Sequence, residues 1–214
     1  MPRPLRIDEE GAIAHVTARG NNRARILDGD SEKELLLGLV ERAVSRFDWI
    51  CHAYCVMNTH YHLLLQTPLA NLSVGMHWLN LTFARRYNRR AGRTGHVFES
   101  RFWSEPVDSE RHFVATARYI ARNPIRAHLV ESAADWRWSS HAATAGLVDA
   151  PSFLETRALL EHFGPRLPGA RAAYAAYVAV PGSNLVPTQH AQPRAETSST
   201  RPTPPGRSVI QSVR

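Results

Sequence analysis

Two apolar runs, Trp49 to Met57 and His60 to Gln66, are separated by Asn58-Thr59 alone. A two-residue connection leaves neighbouring strands no choice but to run antiparallel, so the pair predicts a tight hairpin. The rest of the chain has to pack on that hairpin. Before it, Gly11 to Arg19 alternates as a strand and stops at the turn residues Gly20-Asn-Asn22. A helix opens at Asp30 or Ser31, with Glu34 suitably placed for a capping box, and carries Leu35, Leu36, Leu39, Val40, Ala43 and Val44. After the hairpin, a second amphipathic helix from Asn71 to about Arg90 turns Trp78, Leu79, Leu81, Phe83, Ala84 and Tyr87 inward and ends in Arg85, Arg86, Arg89 and Arg90. Beyond Gly92 and Gly95, His96 to Val107 reads as an irregular extended segment or hairpin. A third helix begins at Asp108 or Ser109 and ends near Asn123-Pro124, because proline disfavours helix in the residue before it. This order predicts an α+β sandwich, an antiparallel sheet covered by helices on one side. A looser helical stretch runs from about Ser152 to Val180, and 181–214, rich in Pro, Ser, Thr and Arg, reads as a disordered tail or weak electrostatic tether.

His60 and His62 stand two apart on a strand, so their side chains share a face. Two neutral imidazoles on a rigid element can bind one divalent cation and leave positions open for water or a phosphate oxygen, which suits metal-assisted phosphoryl chemistry. The competing reading is a pair of polar residues packed at a sheet face. On the third helix, Tyr119 and Asn123 are four apart and share a face, with Thr116 and Arg122 beside them. A deprotonated tyrosine is a usable nucleophile toward phosphorus. Its solution pKa is about 10, so its attack needs assistance. A cation held by His60, His62 and the Asn123 side-chain oxygen would supply it. Taken alone, Tyr119 reads more often as a buried aromatic anchor on an amphipathic helix than as a nucleophile.

Charge bears on the partner. The formal net charge is +7, and of 26 basic residues only Lys33 is lysine. Guanidinium groups grip phosphate with two donors and stack on bases, which favours nucleic acid, although an arginine bias also follows from codon composition. Cys51 and Cys55 are too few for a disulfide scaffold, and no secretory signal or membrane-length apolar run stands out; a cytoplasmic protein with reduced thiols is expected. A structural zinc site built from Cys51, His52, Cys55, His60 and His62 fits poorly, since strand alternation puts the cysteines on one face, opposite His52. A metal-free phosphodiesterase lacks a second copy of its motif. A non-catalytic DNA-binding protein remains open.

The His60-Tyr-His62 dyad, preceded by Asn58 and followed by Leu63-Leu64-Leu65, resembles the signature of the HUH endonucleases, whose middle residue is hydrophobic. Arg118 to Ala127, followed by Leu129-Val130 and Trp138-Ser-Ser140, is similar to the REP-associated tyrosine branch of the single-tyrosine, IS200-like transposases. So are His15-Val-Thr-Ala-Arg-Gly-Asn21 and Gly95 to Trp103. Where that branch often has Pro-Asn-His at the dyad's approach, this chain has Met57-Asn-Thr-His60. The resemblance implies an RRM-like (ferredoxin-like) sheet over residues 8–142, to which the chain's own periodicity and composition add a helical extension over 143–180 and the tail over 181–214. It implies Tyr119 as the nucleophile of a 5′-phosphotyrosine link on single-stranded, hairpin-bearing DNA. By the same resemblance His60, His62 and Asn123 hold Mg²⁺ or Mn²⁺, and Arg19, Asn21, Arg101, Phe102 and Arg122 are candidate DNA contacts. It favours a monomer, with a helix-exchanging homodimer as the alternative.

Overall fold

The computed structural model describes residues 8–181. The expected tail from residue 182 onward lies outside the described residues. Strands β1 (Ala12–Arg19), β2 (Ile50–Val56), β3 (His60–Thr67) and β4 (Trp103–Pro106) form one sheet in the order β2-β3-β1-β4, each neighbouring pair antiparallel. The β2–β3 hairpin closes as its two-residue link requires, with Met57 N donating to His60 O at 2.9 Å. Among the described residues no helix is long and apolar enough to cross a membrane.

Helices cover both faces of the sheet, not one. Strand alternation turns Val16, Leu63 and Leu65 toward α1 (Asp30–Phe47) and α2 (Leu72–Ala91), where they meet Leu36, Leu39, Met76 and Phe83. The opposite face sends Cys55 and Leu64 against Ala117 and Ile120 of α3 (Glu110–Arg126). The second layer is completed by α5 (Arg157–Glu161) and α6 (Leu167–Ala179), which resolve the looser helical stretch, and the short α4 (His141–Thr144) precedes them. Single-face patterning in β2 and β3 was hidden because nearly every residue of both strands is buried.

Three local expectations are corrected. The capping box at α1 does not form: Gly29 is the N-cap, no side chain caps the helix, and Ser31 Oγ donates to Glu32. In β2 the register skips between Cys51 and Ala53, a bulge that inserts His52 and reverses the alternation. Cys51 therefore faces the α1–α2 layer while Cys55 faces α3, so the two cysteines do not share a face and Cys51 lies through the sheet from His62. Finally, α3 runs through Pro124 to Arg126. A proline in the last turn forfeits one bond to the preceding turn, and the bonds from Ala127 N to Asn123 O and from Leu129 N to Pro124 O finish the helix around it.

Candidate active site

Register sets the site. Pairing of β1 with β3 puts Thr17 opposite His62, Arg19 opposite His60 and His15 opposite Leu64, all on the face turned toward α3. The dyad tyrosine, Tyr61, points the other way into the α1–α2 core, where its buried hydroxyl donates to Asn80. A hydroxylated residue thus occupies a hydrophobic position because one polar partner on α2 satisfies it.

The two dyad rings stand edge to face with centroids 4.9 Å apart. His62 Nδ1 lies 2.9 Å from both His15 Nε2 and Thr17 Oγ1, which leaves Nε2 as its outward nitrogen; that atom is buried and meets no hydrogen-bond partner. His60 Nδ1 is engaged by Thr59 Oγ1 at 2.9 Å, so its Nε2 is likewise the nitrogen left over. Burial first, and the Arg19 guanidinium second, bring the His60 pKa down to about 4. Burial pushes His62 well below the usual histidine value, with His15, His60 and Arg19 adding to it. Both rings are therefore neutral near neutral pH, the form in which imidazole ligates a metal. An orphaned, buried ring nitrogen beside a second neutral imidazole is a donor set that fits a divalent cation.

Tyr119 descends on this pair from α3. It is 6% exposed, and its ring centroid lies 5.7 Å from that of His62, at right angles, and 5.7 Å from that of His15. One turn on, Asn123 is buried and its Nδ2 donates to the Tyr119 carbonyl at 2.9 Å, which leaves Oδ1 as the ligand-type atom of the amide. The further turn through Pro124 carries Arg126 back over the phenol, its guanidinium 5.2 Å from the ring centroid. His60, His62, Tyr119 and Asn123 come from β3 and α3, elements packed directly on one another.

The candidate DNA contacts divide. Arg19 stands beside His60 on the sheet; Asn21 is exposed in the 3₁₀ turn after β1, and Arg101 is exposed just ahead of β4. Phe102 is buried in the core on the α1–α2 side, so an unpaired base cannot stack on it. Arg122 donates through Nη1 to the carbonyls of Val178, Ala179 and Val180, capping the C-terminus of α6, while Arg118 reaches Val180 O beside it. Sequence reasoning missed His15, Thr17 and Arg126 as site residues. Parity along β1 would have offered the first two only with the β1–β3 register in hand, and Arg126 lies beyond the proline taken as the helix end.

The model of the family described as "Transposase IS200 like" matches residues 9–123, from the approach to β1 through Tyr119 and Asn123. The chain belongs to the IS200-like transposase family. This transposase is 26% identical over 129 residues to a Haemophilus influenzae protein named as a REP-associated tyrosine transposase, a match covering 52% of this chain and 73% of the relative. Among solved structures it is similar to a REP-associated tyrosine transposase bound to a REP hairpin, with a TM-score of 0.59, 17% identity, and coverage of 72% of this chain and 92% of the other. At that identity the likeness is one of fold. A transposase structure from Deinococcus radiodurans aligns at a TM-score of 0.40 with 19% identity over 56% of this chain and 95% of the other.

Proposed function

We propose that this transposase is a metal-dependent single-stranded DNA endonuclease and strand transferase that acts on hairpin-forming repeats. The single observation carrying the reading is the packing of the Tyr119 ring against His62, whose outward Nε2 is buried and unpartnered. Tyr119 Oη attacks the scissile phosphorus, the bond from phosphorus to the 3′ oxygen breaks, and the departing oxygen takes a proton to become a free 3′-hydroxyl while the 5′ phosphate stays on tyrosine. Attack by a different 3′-hydroxyl on that phosphotyrosine reverses the step, releases the phenol and joins strands without an external energy source. His60 and His62, with Asn123 Oδ1, would hold Mg²⁺ or Mn²⁺, which would polarise the phosphate and offset its developing charge. Arg126 adds a cation beside the nucleophile, its guanidinium 5.2 Å from the centroid of the phenol ring. Arg19, Asn21 and Arg101 provide contacts to the strand's phosphates and bases.

Nucleophile and ring pair belong to one chain, which supports a monomeric enzyme with no exchange of helices. Residues 8–142 form the catalytic unit in this reading, and 143–180 brace α3 from outside. Its place of work is the cytoplasm, where hairpin-bearing strands and reduced thiols coexist. The test is incubation of the full chain with a hairpin-bearing single strand labelled on the 3′ side of the cleavage point. With Mg²⁺ or Mn²⁺ a covalent protein–DNA adduct forms; Tyr119→Phe abolishes it and leaves strand binding largely intact. An adduct that persists in that variant refutes the assignment.

A further inference from the structure

His15 is buried at the back of the ring pair, and its surroundings set a problem of proton bookkeeping. Its Nε2 lies 2.9 Å from His62 Nδ1, with the two rings inclined by 24° and their centroids 5.1 Å apart, and Trp103 and Tyr119 wall it in edge-on at 5.5 and 5.7 Å. Its own Nδ1 is buried and meets no partner. A neutral imidazole carries a proton on one nitrogen and a lone pair on the other. If the proton of His62 is on Nδ1, it is shared between Thr17 Oγ1 and His15 Nε2, and the outward Nε2 presents its lone pair. If the proton is on Nε2 instead, Thr17 and His15 both donate toward Nδ1, and the outward nitrogen has no lone pair for a cation.

The second arrangement aims two donors at one in-plane lone pair, where their hydrogens crowd each other. The first is a three-centre bond, one N–H between two acceptors, a common arrangement in proteins, and it places the proton of neutral His15 on its own Nδ1. We propose that His15 is a positioning residue: with Thr17 it holds His62 in the tautomer whose outward nitrogen is free to ligate, before any cation arrives. His15 is not itself a ligand in this scheme, because its Nε2 is spent on the inward side of His62. Outer partners of ligating histidines fix tautomer and orientation in this way, and losing one typically costs about 10–100-fold in metal affinity. The inference rests on the metal-dependent reading above and concerns how the protein prepares for the ion.

The experiment uses the full chain labelled with ¹⁵N-histidine. Long-range ¹H–¹⁵N spectra of the metal-free protein report the His62 tautomer, and calorimetric titration with Mn²⁺ reports affinity for the wild type, His15→Phe and His15→Gln. The metal-free wild type is expected to carry the His62 proton on Nδ1. His15→Phe, which keeps a ring but no acceptor, is expected to bind Mn²⁺ about 10–100-fold more weakly. His15→Gln offers an amide oxygen to the same N–H and is expected to recover most of the loss, a rescue that simple repacking would not give. A proton on Nε2 in the metal-free wild type overturns the proposal without recourse to any variant. So does undiminished Mn²⁺ affinity in folded His15→Phe, and in that event the endonuclease reading stands. A wild type that takes up no Mn²⁺ brings down both.

Discussion

Histidines held neutral at the sheet face carry a cost, since desolvation keeps His60 and His62 from taking the proton that water would offer them near their usual pKa. A cation that accepts their lone pairs recovers part of that cost, so removing one ring should be felt in binding before it is felt in folding. His60→Ala is expected to lower Mn²⁺ affinity and metal-dependent adduct formation by about tenfold or more while thermal stability changes little, because the residue is only half-buried at the start of β3. Unchanged metal-dependent cleavage in His60→Ala would make the dyad a packing feature. The two dyad histidines were legible because strand parity is strictly local. His15 was not: its place beside His62 follows from a register between strands 47 residues apart, and an apolar strand with one histidine looks the same whether that histidine is packed or placed. Phe102 was misjudged for a related reason, since nothing local tells an edge aromatic that faces a base from one that faces the core.

Two helix contacts decide how the elements meet. On α2, Gly75 lies against the indole that precedes β2: a Cβ there would lie 2.1 Å from Cζ2 of Trp49, whose indole is fixed by a 2.7 Å bond from Nε1 to Asn71 Oδ1. Gly75→Ala is therefore expected to destabilise the fold by about 1–3 kcal/mol, despite the higher helix propensity of alanine, as read from a chemical denaturation midpoint. On α3, the guanidinium of Arg122 closes the last turn of α6. Charge-assisted bonds of this kind are worth about 1.5–3 kcal/mol. Arg122→Gln is expected to speed amide exchange across α6 while the sheet stays protected; equal exchange in both proteins would mean that α6 is held by its apolar face alone. The helices themselves were readable from periodicity and caps, as Ser109 shows by accepting from His112 N at the start of α3. The bulge at His52 and the passage of α3 through Pro124 were not, because each is a compromise with neighbours distant in sequence.

At the scale of the whole molecule, the buried histidines tie stability to pH. Burial lowers His15, His60 and, away from the site, His141 from 6.5 to about 4. Unfolded, the same groups take protons near 6.5, so below that pH the unfolded chain binds more protons and gains on the folded one. Stability is full above 6.5 and is lost progressively as pH falls toward 4; a denaturation midpoint that stays flat across that window would contradict the burial of these rings. The α+β class and the antiparallel sheet followed from element order, but the covering of both faces did not, because a strand buried on both sides loses the alternation that would reveal it.

In the proposed reaction the phenol oxygen of Tyr119 on α3, packed against the ring pair of β3, takes the strand. Digestion of the protein–DNA adduct and mass analysis of the cross-linked peptide test it directly. The nucleotide mass is expected on Tyr119 through a phosphodiester to a 5′ end, with a free 3′-hydroxyl on the released strand. The same mass on any other residue, or cleavage by water with no linked peptide at all, would contradict it.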